Sequence, residues 1–109
     1  MNITGVKRKE YIYLLSERDR KRHIHTRRGK TITDFVVQYE ALINDEWCPV
    51  VRYNTSHGYA HKDLIYPDGS KEKVILGVYS YNEALTLADM DINQSWEAYK
   101  LRYLRRIKR

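Results

Sequence analysis

A stripe of apolar and aromatic side chains near the C-terminus limits what this chain can become. Tyr81, Leu85, Ala88, Ile92, Trp96, Tyr99, Tyr103 and Ile107 follow one another at spacings of three or four residues. Only an α-helix lines such residues along one face. Ser80 followed by Glu83 opens the run as a capping box. The hydroxyl accepts from the amide of the third helical residue while the carboxylate accepts from the cap's own amide. The pattern predicts a helix from about residue 81 to residue 108, with a break at 91–93 as the alternative. So long a stripe has to be covered. Packing against the rest of the chain covers it most simply; pairing two such helices in a homodimer is the other solution.

The residues upstream supply a cover. Phe35, Val37, Tyr39, Ala41 and Ile43 alternate with Gln38 and Glu40, which is the period of a strand. Residues 47–54 read as the next strand, with Trp47, Val51 and Tyr53 on one side, and Pro49 demands an edge or a bulge. Asn44, Asp45 and Glu46 form the turn between these strands. Residues 60–66 and 72–76 make a hairpin about Pro67-Asp68-Gly69, where proline presets φ and glycine accepts a positive one. Short connections favour antiparallel neighbours. The expected fold class is therefore α+β in a single domain of 109 residues. An antiparallel meander of about four strands over residues 31–78 packs against one long C-terminal helix over residues 80–108. Residues 1–30 precede it as a basic segment. Within it, residues 11–15 suit a strand or a buried helical turn equally, and residues 16–30 form either a first long strand or a flexible arm.

Charge bears most directly on function. The net charge is +6, unevenly placed. Residues 1–30 hold ten Lys/Arg and three acids, residues 31–99 four and eleven, and residues 100–109 six and none. Two cationic ends around an acidic middle point to a polyanionic partner, nucleic acid above all. The alternative is that the ends fold against the middle. The expected nucleic-acid-binding residues are Arg18, Arg20, Lys21, Arg22, Arg27, Arg28 and Lys30 in the first segment and Arg102, Arg105 and Arg106 in the last, joined in one continuous basic surface. Ten tyrosines offer rings on which unpaired bases stack, so RNA is expected rather than DNA. No RNP motif, GXXG loop or zinc finger specifies a known module. An acidic protein that neutralises the cations is a further partner to expect.

A second constellation has the residue types of a reaction site. His61 and Asp63, two apart in a strand, share a face, as do Arg52 and Asn54 on its neighbour and Gln38 and Glu40 beyond, with His57 on the loop above. Histidines titrate near neutral pH and suit acid–base work. Arg52 suits a phosphate or a developing negative charge. Arg52, His57, His61 and Asp63 are the candidate catalytic residues if the chain is an enzyme, as a small metal-independent ribonuclease; whether it is an enzyme stays open. The cluster reads equally as an anion-binding patch or as the wet face of an antiparallel sheet. His57, His61 and Asp63 have metal-ligand identities. Gly58 and the strand pattern deny the helix on which a His-x3-His spacing is meaningful, so no metal and no cofactor is expected.

The run from Arg52 to Gly69 resembles small uncharacterised bacterial and archaeal proteins with a core R-Y-x-T-x-H-G-x-x-H-x-D-x-x-x-P-D-G, over residues 35–100. Asn54 stands where an Asp is expected in that group. No activity is assigned to the group, so the resemblance implies no function. In size and basicity, with no motif behind it, the chain is also similar to ribonuclease toxins of toxin–antitoxin pairs. Cys48 is the only cysteine, which leaves no intrachain disulfide and fits a reducing compartment. The first ten residues lack the apolar core of a secretory signal. No apolar run approaches the roughly 18 residues of a membrane span. The expectation is a cytoplasmic protein with no membrane partner.

Overall fold

The computed structural model describes residues 5–77 and 80–107. Its elements, in chain order, are β1 (Val6–Ser16), β2 (Asp19–Arg28), β3 (Thr31–Ile43), β4 (Glu46–Asn54), β5 (His61–Ile65), β6 (Lys71–Ile75) and α1 (Tyr81–Arg105). The strands form one antiparallel sheet in the order β1-β2-β3-β4-β5-β6, so each pairs with its neighbour in sequence. The meander and the long helix match the sequence pattern; the expected number of about four strands is corrected to six. The additional strands are β1 and β2, inside the basic segment, which is therefore no flexible arm. They escape a hydrophobic alternation because the inward positions of β2 are Asp19, Lys21, His23 and His25.

Local chemistry closes the meander. Asn44 and Asp45, at φ 52° and 63°, turn β3 into β4 in the left-handed pair of conformations that matches strand twist, one that Asn and Asp tolerate. Pro49 marks the bulge it required. The register passes from Tyr39 opposite Val51 to Glu40 opposite Pro49, leaving Val50 as the extra residue.

α1 crosses one face of the sheet over β3 and β4. Its capping box is formed as the sequence specifies, with Glu83 N donating to Ser80 Oγ at 3.1 Å and Ser80 N to Glu83 Oε1 at 3.2 Å. The helix runs unbroken through residues 91–93. Ala84, Ala88 and Ile92 are wholly buried with Phe35, Val37, Tyr39, Ala41 and Val51. The two alanines let the helix axis approach the sheet closely. Tyr39 leans on Trp96 at 5.9 Å between ring centres, and Phe35 meets Tyr81 edge-on at 6.3 Å. The apolar stripe is thus covered within the chain.

Three carboxylates fasten polar groups into this interface. Asp91 accepts from the Tyr53 hydroxyl at 2.6 Å and from the Tyr99 hydroxyl. Asp19 accepts from Tyr39 at 2.6 Å and from Lys100 Nζ at 3.1 Å. Asp89 takes Lys21 Nζ at 3.1 Å and His23 Nδ1 at 3.3 Å. Burial alone would raise the Asp19 carboxyl, but hydrogen bonds from Ser16, Tyr39 and Lys100 override it and hold the group below its ordinary value. Asp89 is lowered in the same way by His23 and Lys21, against the effect of its burial.

Candidate functional site

The face of the sheet turned away from α1 gathers the polar residues singled out in the sequence. Gln38 pairs opposite Arg52, Arg52 opposite Asp63 and Asn54 opposite His61. The period-two rule therefore brings all of them, with Glu40, to one face. β6 extends the row, since Lys73 lies opposite Asp63 and Lys71 opposite Ile65.

A chain of hydrogen bonds fixes Arg52 across three strands. Its Nε donates to Gln38 Oε1 at 2.6 Å. The Gln38 amide donates in turn to Glu40 Oε2 at 2.5 Å. Glu40 also accepts from Arg20 Nε at 2.6 Å and Arg22 Nε at 3.0 Å. Burial pushes the Glu40 carboxyl up, and the donors Arg22, Arg20 and Gln38 outweigh that and hold it low. The network leaves the two terminal nitrogens of Arg52 with no protein partner among the described residues.

Arg52 lines a cavity of about 230 Å³ together with Asn54, Ser56, His57, Asp63, Lys71 and Lys73. Three cations and one carboxylate thus share its wall. Asp63 is 3% exposed. Its Oδ2 accepts a long bond from Asn54 Nδ2, at 3.4 Å, and lies 3.7 Å from His61 Nε2. Its Oδ1 is buried with no hydrogen-bond partner, alone in this among the side-chain atoms of the described residues. The rings of His57 and Tyr59 stack at 6.1 Å on the loop beside the cavity, and Lys73 Nζ lies 5.9 Å from the Tyr59 ring centre.

Of the four candidate catalytic residues, Arg52, His57 and Asp63 line the cavity and His61 does not. His61 is 1% exposed, lies behind His57 at 5.3 Å between ring centres, and donates from Nδ1 to the Tyr59 carbonyl at 3.2 Å. It supports the loop and Asp63. Lys71 and Lys73 went unnoticed in the sequence because they lie in the stretch with an acidic net charge. Their signal was the Lys-x-Lys alternation just after the Pro67-Asp68-Gly69 turn, which sets both on the face of Asp63.

Among the described residues, the cations expected to form one continuous basic surface are spread over both faces of the sheet and both ends of α1, and Lys108 and Arg109 lie outside the described residues. Arg20 and Arg22 are spent on Glu40, while Lys21 points to the opposite face, onto Asp89 and Asn93. Arg27 donates to the Gly29 carbonyl, and Arg28 and Lys30 are exposed near the start of α1, where Asn82 bonds the Lys30 carbonyl. Arg102 bonds Tyr66 and Glu72 at the far end, Arg106 lies 4.8 Å from the Tyr66 ring centre, and Arg105 is exposed. A 25-residue helix, roughly 37 Å long, separates the two groups. Arg18, exposed in the β1–β2 turn, lies next to Asp19, on which Lys100 of α1 bonds. Much of the basic segment folds against acids.

Among the described residues, no three or more His, Cys, Asp or Glu side chains gather as a metal site, and no helix is long and apolar enough to cross a membrane. Residues 6–109 match the model of a protein family described as Domain of unknown function (DUF7718). No curated protein and no solved structure matches the chain.

Proposed function

The chain belongs to this family of unknown function, and from its geometry we propose that it binds nucleic acid, holding backbone phosphates in the cavity between β4, β5 and β6. One observation carries the proposal: Arg52, Lys71 and Lys73 line a single cavity, and none of them has an acidic partner among the described residues. The cations buried in the sheet and under the helix, Arg20, Arg22, Lys21, Lys62 and Lys100, already have acids. Arg52 is also preorganised, because Gln38 fixes its Nε and presents the planar fork that matches a phosphate. The His57 and Tyr59 rings beside it suit stacking of unpaired bases, which favours a single strand.

The test is fluorescence anisotropy of labelled single-stranded RNA at about 50 mM and about 200 mM salt, which brackets the range where counterion release is steep. The wild type is compared with a variant carrying Arg52→Gln, Lys71→Gln and Lys73→Gln. Binding that weakens with salt, and whose log–log slope falls by about 2 in the variant at about 0.7 per single-strand contact, supports the proposal. No binding at low salt, or an unchanged slope, overturns it.

A second reading is favoured by His57 and Asp63 lining one cavity, Asp63 with one oxygen unpartnered: cleavage of the bound strand by a metal-independent ribonuclease. The strand's own 2′-hydroxyl would attack the adjacent phosphorus, forming a 2′,3′-cyclic phosphate as the bond to the 5′-oxygen breaks. Arg52 would stabilise the charge on the phosphate, Asp63 would take the 2′-hydroxyl proton, His57 would give a proton to the leaving 5′-oxygen, and His61 would act as a positioning residue. RNA that stays intact after incubation at binding concentrations counts against it. Fragments that disappear with His57→Ala support it.

A further inference from the structure

We infer that Asp63 reads the ribose 2′-hydroxyl of a bound strand, so that the cavity selects RNA over DNA. This rests on the phosphate-binding proposal above and adds the substrate class.

A buried polar atom with no partner costs roughly 1–3 kcal/mol, and native structures keep such atoms rarely. Here the atom is Asp63 Oδ1. It belongs to a residue that lines the same cavity as three cations. Asn54 and His61 both lie on the Oδ2 side, at 3.4 and 3.7 Å. The lining therefore combines cationic donors for an anion with a carboxylate that has an acceptor to spare, one that water does not reach in the free protein and that a hydroxyl meets only as the exposed Lys71 and Lys73 side chains turn toward the ligand's anion.

A bare phosphate satisfies only the first half and meets the carboxylate as a like charge. A ligand that satisfies both carries a hydroxyl close to its anion. In an RNA strand every interior ribose has this form, a 2′-hydroxyl next to the 3′-phosphate. An interior deoxyribose has no hydroxyl at all. Both strands bring a phosphate near the carboxylate, but only RNA brings a hydroxyl to offset it; DNA would leave Oδ1 unpaired, so the atom that rewards RNA gives DNA nothing. The surroundings keep this carboxylate in place. Asn54 donates to it from β4, His61 backs it from two residues away on β5, and Lys73 lies opposite it on β6.

The experiment compares three single strands of one sequence, about ten nucleotides long to cover one site: RNA, its 2′-fluoro analogue and DNA. The 2′-fluoro sugar keeps the RNA-like shape and removes only the donor. Anisotropy titrations are run with the wild type and with Asp63→Ala. The wild type is expected to bind RNA about tenfold or more tightly than either other strand, as for loss of a hydrogen bond to a charged acceptor. In Asp63→Ala the RNA and 2′-fluoro strands are expected to bind alike, with the salt slope unchanged because the cations remain. Equal binding of all three strands by the wild type overturns the inference and leaves phosphate binding standing. Discrimination that survives in Asp63→Ala also overturns it, placing the hydroxyl contact elsewhere. Binding of none of the strands overturns the phosphate proposal itself. The wild-type comparison can overturn the inference without any variant, and if Asp63→Ala does not fold, Asp63→Asn replaces it: discrimination that is undiminished when the acceptor loses its charge overturns the inference.

Discussion

Asp19 and Asp63 are buried to nearly the same depth, 1% and 3% exposed, on opposite faces of one sheet. On the helix face, Asp19 is saturated: Ser16 and Lys100 bond Oδ2, and Tyr39 bonds Oδ1. On the open face, Asp63 has a weak partner on one oxygen and none on the other. The contrast extends to the cations. Lys21, under the helix, is shared by Asp89 and Asn93, whereas Arg52, Lys71 and Lys73 surround a cavity. The polar groups that hold the helix to the sheet are closed among themselves, whereas Asp63 keeps an unused acceptor at comparable burial.

The difference can be broken or sharpened by substitution. The largest effect is expected in the core under the helix, where Ile92→Ala removes a wholly buried side chain. It should cost about 3 kcal/mol in urea unfolding. A fall below about 1 kcal/mol would mean that the helix is not seated on β3 as described. Next comes the matched pair of aspartates. Asp19→Asn, which replaces an acceptor of three donors, should lose about 2 kcal/mol. Asp63→Asn should stay within about 0.5 kcal/mol, as is usual for a site without a formed network. Equal losses would erase the distinction between the faces.

Acid should act on the paired carboxylates. Asp19, Asp89 and Glu40 have carboxyl groups held below their ordinary values in the folded state. The unfolded chain therefore takes up protons first. The stability these groups contribute is present above their ordinary values, about pH 4, and is lost as pH falls through the lower folded values. Urea midpoints should drop below about pH 4, and less steeply in Asp19→Asn than in the wild type. The smallest effects are expected at the basic ends: Arg28→Ala and Arg105→Ala should leave the salt slope of RNA binding unchanged, while Lys73→Ala lowers it by about 0.7.

The legible parts of the molecule were those where pattern and chemistry agree. The helix, its cap, the turn at Asn44 and Asp45 and the bulge near Pro49 all follow from local rules. The Gln38, Glu40, Arg52, Asn54, His61 and Asp63 face followed from period two alone. β2 was obscured because its inward side chains are Lys21, His23 and His25, whose burial depends on partners far away in sequence, Asp89 and Asn93. The same long-range pairing misled the reading of charge. A count along the chain cannot tell Arg22, neutralised by Glu40, from Lys73, which lines a cavity with no acidic partner. Nor can it tell that His61 lies one layer behind His57.

The central claim is that the open face, and not the basic ends, meets nucleic acid. Backbone amide shifts followed by NMR as unlabelled single-stranded RNA is added to labelled protein test it most directly. The account predicts that the largest changes fall on Arg52, Asn54, His57, Asp63, Lys71 and Lys73, with Arg28, Lys30, Arg105 and Arg106 nearly still. Changes centred on those terminal arginines and Lys30, with the cavity residues unmoved, would contradict it.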